Sequence, residues 1–248
     1  MKSVMTEISE EETRKYSTDS LGHKRIMSEQ MAYEFLKGCL HIPTIVKMES
    51  DVNQASIVME TLEGKSLREI LGMRDEYNAK PKAWKEVSKL LKQYVGAETD
   101  LLERGALYRD MNLDHIIFAN DKAYLVDLES TIINAGADRW SLNDMRGTWE
   151  TMAPEEFPGY GELSARTATY RVAVVAYLLI VGKLPFKRFP ESRAETYRWR
   201  RRHQIEVDET LDKDTRRVFN IALARKQERR YKDPASFLLQ LERSYRVA

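Results

Sequence analysis

Residues 108–127 constrain this chain more than any other stretch. Tyr108-Arg109-Asp110 is followed by His115, then by a short apolar run, Ala123-Tyr124-Leu125-Val126, that delivers Asp127 at its end. The pattern reads as a β-hairpin with a carboxylate at each flank. Any fold this chain adopts has to accommodate that hairpin, and a fold that brings its two ends together brings Asp110 and Asp127 together as well.

A chain of 248 residues with 42% apolar content can bury a substantial core, as one large domain or two small ones. Forty basic against 39 acidic side chains give no overall pull toward nucleic acid or membrane. The charge is unevenly spread. Residues 1–64 hold seven basic and eleven acidic side chains, net −4, and the remainder carries net +5, so an anionic substrate meets the second part more favourably. The single cysteine, Cys39, excludes an internal disulfide and reads as a small buried hydrophobe in a reducing cytosol. Met1 to Glu12 is polar and acidic, unlike a secretory leader, and the longest apolar run, Val172 to Val181, is too short to cross a bilayer. The expectation is a soluble cytoplasmic protein.

The first 64 residues read as a small mixed region. Ser28 to Leu40 shows helical spacing through Met31, Phe35 and Leu36 with Ser28 as N-cap; Ile42 to Met48 and Ser56 to Met59 read as strands joined by a turn at Ser50 to Gln54. Glu63-Gly64-Lys65 marks a break, after which Ser66 caps a short helix to Leu71 and Tyr77 to Lys82 forms a loop. Val87, Leu90, Leu91, Tyr94 and Val95 then follow the stripe of a helix ending near Gly105. Ser130 to Arg166 reads as irregular. Arg171 to Val181 is apolar on nearly all sides, as a central helix would be, and Gly182 and Pro185 stop it. Further helices are expected at Ala194 to His203, Lys213 to Arg225 and Asp233 to Tyr245.

The run Tyr108-Arg109-Asp110-Met111-Asn112-Leu113-Asp114-His115-Ile116-Ile117-Phe118, followed by Leu125-Val126-Asp127-Leu128-Glu129, resembles the catalytic loop and metal-binding strand end of the protein-kinase superfamily. Seventeen residues separate the two aspartates, and further features fall in order. Gly147-Thr148 and Met152-Ala153-Pro154-Glu155 look like the end of an activation segment; Thr169-Tyr170 through Gly182-Lys183-Leu184-Pro185-Phe186 is similar to the buried central helix and its exit; Arg229-Arg230-Tyr231 resembles the arginine site that pairs with the Ala-Pro-Glu glutamate. The resemblance covers residues 28 to 245.

It implies an α+β, bilobal protein-kinase-like fold, with an abbreviated N-lobe over 1–62 (strands plus one helix, without the glycine-rich loop) and a helical C-lobe over 63–248. Phosphoryl transfer asks for one carboxylate at the attacking hydroxyl and others on the metal that neutralises the phosphates. Asp110 matches the first role and Asp127 the second, with His115 beside it as a metal ligand. Arg109 matches the arginine that can pair with a phosphorylated activation segment, or serve as a structural ion pair. Lys15 is the choice for the phosphate-contacting lysine, with Lys24 as alternative; Glu34 is its expected partner, with Glu29 as competitor on the same helix. Met59, Glu60 and Leu62 fall on the hinge that would meet an adenine. The implied cofactors are ATP with Mg2+ or Mn2+, and the implied partners are a protein substrate or regulatory protein.

Several positions depart from the family pattern. No glycine precedes Gly22, and fourteen residues precede Lys15, so phosphate coverage is missing or unusual. His115 stands where most members have a metal-binding Asn; imidazole suits manganese better than magnesium, and a histidine also occurs there in lipopolysaccharide-core sugar kinases. Glu129 replaces a glycine, as in small-molecule kinases resembling choline and aminoglycoside phosphotransferases. Asn112 departs from the lysine of Ser/Thr protein kinases, whereas Thr148 fits them. Ala168 replaces an aspartate that ties the central helix to the catalytic loop, so another group must take over that anchoring. Arg193, Arg198, Arg200, Arg201 and Arg202 surround Tyr197 and Trp199, which suits a solvated face or a docking site for an acidic or phosphorylated partner. The leading expectation is a Ser/Thr-type phosphotransferase; the alternatives are a pseudokinase scaffold and a kinase for a sugar or lipid head group.

Overall fold

The computed structural model describes residues 4–52, 54–73, 77–133, 148, 151–157, 162–186 and 192–246, apart from the side chains of Arg193, Tyr197, Arg201 and Arg246. Gly147 and most of the stretch read as irregular between 130 and 166 lie outside these residues.

Strands β1 (Val4–Ile8), β2 (Glu12–Ser17), β3 (Ile45–Ser50) and β4 (Ala55–Glu60) form an antiparallel sheet in the order β1-β2-β4-β3. The turn expected at 50–54 joins β3 to β4. On β4, Ala55, Ile57 and Met59 share one face by the two-residue strand period, and all three are buried. Helix α1 (Ser20–Phe35) packs on β2 and β4, with Ile26, Ala32 and Tyr33 in the core.

That helix starts eight residues before the expected Ser28 cap. The cap is Asp19, whose carboxylate accepts a hydrogen bond from the Gly22 amide at 2.7 Å. Gly22 falls in the first turn, where the Asp19 cap supplies a partner for one of the amides that helix geometry leaves free, so the residue that looks like a breaker is tolerated. Leu21 and Met31 are exposed, which blurs the apolar stripe that would have revealed the true start.

The C-terminal part is helical. The short helix α2 (Leu67–Leu71) carries a capping box, the Ser66 hydroxyl accepting from Glu69 N and the Glu69 carboxylate from Ser66 N, and it ends on left-handed Gly72. Helix α3 (Trp84–Glu103), α4 (Ala165–Val181), α5 (Arg193–Arg202), α6 (Lys213–Ala222) and α7 (Pro234–Arg246) follow. α4 is the centre: every residue from Thr167 to Leu179 is buried, and α3, α6 and α7 pack around it. It begins six residues before the expected Arg171, because Ser164 caps it and the buried polar residues Thr167, Thr169 and Arg171 interrupt the apolar signal. Gly182 ends it at φ +83°, and a side chain there would collide with the Ala79 carbonyl, whose own amide donates back to Gly182 O at 2.6 Å. Trp84 stacks on Tyr245 at 4.0 Å between ring centroids, closing α7 onto α3.

Between these parts lie the small sheets, β5 (Lys65–Ser66), β7 (Ile116–Ala119) and β8 (Lys122–Leu125) in the order β5-β7-β8, and β6 (Ala106–Leu107) with β9 (Ile132–Ile133). The β7–β8 hairpin turns through Asn120 and Asp121, both at positive φ, a conformation these two residue types tolerate. Gly64 sits so close to this hairpin that a Cβ there would lie 2.5 Å from Phe118 O.

Buried carboxylates brace the helical part. Glu155 accepts a bidentate pair from Arg230 at 2.6 and 2.8 Å, and Arg230 Nε donates to Ala224 O at 2.7 Å. Glu98, wholly buried on α3, accepts from the Tyr94 hydroxyl at 2.8 Å, and its Oε2 has no hydrogen-bond partner. Burial pushes the Glu98 carboxyl up to about 7, against the opposing pull of the Tyr94 hydrogen bond and the Arg171 charge. The fold therefore favours the neutral acid. The stabilisation from this site is complete below the ordinary glutamate pKa and is lost as pH rises through about 7. In thermal melts from pH 5 to pH 8 the wild type should lose stability relative to Glu98→Gln, by on the order of 3 kcal/mol at most. Parallel pH profiles for the two proteins would refute this.

Candidate active site

The site is assembled from four pieces of chain. β2 supplies Lys15, α1 supplies Glu29, the segment after β6 supplies Asp110 and His115, and the end of β8 supplies Asp127. Lys15 Nζ lies 2.9 and 3.2 Å from the two Glu29 oxygens and 3.4 Å from Asp127 Oδ1. Glu29 Oε1 also accepts from Leu128 N at 3.2 Å, so one buried carboxylate ties the sheet's lysine to the backbone just after Asp127. Burial alone would lower the Lys15 pKa; the two carboxylates outweigh it and hold the ammonium above its ordinary value.

Asp127 adopts φ +60°, a left-handed conformation uncommon for a residue with a side chain. Asp110 Oδ1 accepts from Thr148 Oγ1 at 2.6 Å. His115 stands between the two acids, with Nδ1 3.5 Å from Asp110 Oδ2 and Nε2 3.6 Å from Asp127 Oδ2. These are ion-pair rather than hydrogen-bond distances, and the buried Nδ1 makes no hydrogen bond. One donor atom from each of Asp110, His115 and Asp127 lies within 4.8 Å of the others. Burial opposes the ionised Asp110, but the adjacent His115 imidazole, the hydrogen bond from Thr148 and the Arg171 charge keep its carboxyl below the ordinary range. Burial likewise lowers the His115 pKa, and the flanking carboxylates more than reverse that.

A cavity of about 350 Å³ opens onto this cluster, lined by Thr6, Ile8, Thr13 and Lys15 above, by Met59 to Leu62 along one side and by His115, Ile117, Val126 and Asp127 below. Its volume lies at the lower end of the range for small-molecule sites. Glu60 is engaged elsewhere, its amide donating to Thr44 O and its carboxylate accepting from Thr44 N, and Thr61 N donates to Glu11 O. Tyr33 donates its hydroxyl to Met59 Sδ at 3.8 Å, fixing the back of the pocket.

One expected pairing is corrected, and Arg109 takes the structural ion pair of its two readings. Glu34 is 64% exposed and its nearest cation is Lys37 at 4.0 Å, whereas Glu29, one and a half turns earlier, faces the sheet at 2% exposure and takes Lys15. Lys24, the alternative lysine, is exposed on α1. Arg109 does not reach the cavity: it is 3% exposed, with Nε 3.9 Å from Glu156 Oε1 beneath the loop. Arg200 is also inward, its guanidinium 3.6 Å above the Phe186 ring and donating to Met152 O at 2.5 Å, so it is no part of a solvated docking face. Thr13 escaped the sequence reading, although it lies two residues from Lys15 on the same strand face and its hydroxyl meets that of Thr61 at 2.9 Å.

The family model for the protein kinase domain matches residues 3–247 of this chain. Serine/threonine-protein kinase Pkn1 of Myxococcus xanthus is 29% identical over 157 residues, covering 61% of this chain and 22% of that protein. Sperm motility kinase 1 of Mus musculus is 26% identical over 151 residues, 59% of this chain and 29% of that protein, and serine/threonine-protein kinase PknL of Mycobacterium tuberculosis is 29% identical over 131 residues, 52% and 31%. The matched segments thus span between about a fifth and a third of these relatives. No helix among the described residues is long and apolar enough to cross a membrane.

The corrected pairing has a direct consequence for stability. Glu29→Ala leaves a nearly buried ammonium with only Asp127 and should cost about 3 kcal/mol in urea unfolding. Glu34→Ala should stay within about 0.5 kcal/mol of wild type. Equal losses would reject the assignment.

Proposed function

The chain belongs to the protein kinase domain family, and from that premise we propose that it transfers the γ-phosphoryl group of ATP to a hydroxyl, most readily a serine or threonine on a protein. The observation that carries this reading is the convergence of Asp110, His115 and Asp127 within 4.8 Å at the mouth of a cavity that also holds Lys15. We place the boundary between the two lobes at 62/63, so that the cavity lies between them.

The residues fit the groups this chemistry needs. Ligands sharing one small divalent ion at about 2.1 Å sit within about 4.2 Å of each other, a span that His115 Nε2 and Asp127 Oδ2, 3.6 Å apart, already meet. When bound, ATP and the divalent cation supply the electrophilic phosphorus and neutralise its developing charge. The chain's own residues do the rest. Asp127 and His115 would hold the cation. Lys15, kept cationic by Glu29, would hold phosphate oxygens. Asp110, ionised at neutral pH and with Oδ1 occupied by Thr148, is left with Oδ2 to orient the acceptor hydroxyl and accept its proton. Met59 and Leu62 would flank the base. On α5 the exposed Arg198 and Arg202 remain for an acidic or phosphorylated partner.

Incubation with γ-labelled ATP, divalent cation and a protein acceptor tests the reading. Labelling should fall at least 100-fold in both Asp110→Asn and Asp127→Asn. The nitrogen ligand favours Mn2+ over Mg2+, and His115→Asn should shift that preference toward Mg2+. The same histidine supports a second reading, a nucleotide-binding scaffold with little turnover. Nucleotide-induced thermal stabilisation without labelling in either metal would select it, and labelling confined to small hydroxyl compounds would move the acceptor away from proteins.

A further inference from the structure

The catalytic segment lacks the aspartate that would tie it to the central helix: position 168 is alanine, wholly buried. One turn further along α4 stands Arg171, at 0% exposure, with Arg200 one of the two arginines among the fully buried side chains. Each of its three guanidinium nitrogens donates a hydrogen bond. Nε donates to Glu156 Oε2 at 2.8 Å, Nη2 donates to Glu156 Oε1, and Nη1 donates to the backbone carbonyl of Tyr108. Glu156 is itself completely buried and accepts from Ala153 N at 2.8 Å, which fixes it to the segment that Arg230 holds through Glu155.

Tyr108 is the residue on which both acids depend. Its carbonyl lies two residues before Asp110. Its hydroxyl donates to Val126 O at 2.8 Å, one residue before Asp127. A guanidinium that fixes the Tyr108 backbone therefore fixes the start of one acid's loop and, through the ring, the end of the other acid's strand. We infer that Arg171, paired with Glu156, is a positioning residue that sets the separation of Asp110 and Asp127 through Tyr108, in place of an aspartate at position 168. The geometry of this chain carries the inference; its kinetic readout rests on the function proposed above.

A single Arg171→Met change strands the buried Glu156 carboxylate and can unfold the protein. The decisive protein is therefore Arg171→Met/Glu156→Met, in which an apolar pair replaces the ionic one, a replacement that is often neutral or stabilising, with the melting temperature reporting how Arg109 tolerates the loss of its Glu156 contact. Two measurements are made on it: kcat and KM for ATP, and hydrogen–deuterium exchange across residues 108–128. The expected result is a melting temperature close to wild type, kcat down at least tenfold, KM for ATP within threefold, and faster exchange at 108–115. A purely structural role would leave kcat and that exchange unchanged, and this outcome overturns the inference. Tyr108→Phe, which removes only the hydroxyl, should lower kcat with the Arg171–Glu156 pair intact; wild-type kcat there removes the link to Asp127 and overturns it as well. If the double variant does not fold, Arg171→Lys decides on the same two measurements, because it keeps the charge and loses the three-way donor. If wild type transfers no phosphate, the proposed function fails, and exchange at 108–115 still supports or overturns the positioning role.

Discussion

A single, nearly buried ammonium joins three of the four pieces of the candidate site. Lys15 belongs to the sheet, Glu29 to α1 and Asp127 to the end of the β8 hairpin, and the contacts among them span 2.9 to 3.4 Å. Taking the Glu29 carboxylate out of water is costly, and it is tolerated because it faces the Lys15 ammonium and also accepts from Leu128 N. The sheet, the helix and the hairpin are in effect positioned by one electrostatic triangle. Ordinary apolar packing, such as Tyr33 against Met59, could seat α1 on the sheet in several rotations; the ion pair selects the one that aims Glu29 inward.

The second support lies below the cleft and is also ionic. Glu155 and Glu156, adjacent in sequence, are each captured by a different buried arginine, Arg230 from the chain's end and Arg171 from α4. A pair of neighbouring carboxylates with separate partners fixes the segment's position and its rotation about its own axis. That segment carries Thr151, whose hydroxyl donates to Met111 O at 3.0 Å, so the catalytic loop is gripped from this side too. The cleft is thus held from above by a lysine and from below by arginines, with His115 between the acids.

What the sequence made legible was what it encodes locally. The hairpin that ends on Asp127, the Ser66 cap, the Gly105 and Gly182 stops and the apolar stripe of α3 are all set by short-range spacing, and they stand where that spacing places them. The choice between Glu29 and Glu34 was not local. Both lie on one helix, and which one faces the sheet depends on a helix start at Asp19 that Gly22 and the exposed Leu21 and Met31 conceal. Arg171 was read only as the first residue of an apolar helix; a residue of that type is rarely buried unless paired, and its partner sits fifteen residues away in a stretch without regular periodicity. The loss of the aspartate at 168 gave the one warning: a loop left without its usual anchor implies a substitute, but not its identity.

The Arg171–Glu156 pair also limits how this lineage can change. Losing either partner alone breaks a bidentate pair in a dry interior, so a single substitution at 156 or 171 costs more than a paired one. The two positions should therefore drift together or stay fixed together. The same coupling disfavours an aspartate at 168, since a carboxylate placed there, one turn from an arginine already committed to Glu156, would compete for it before it could replace it.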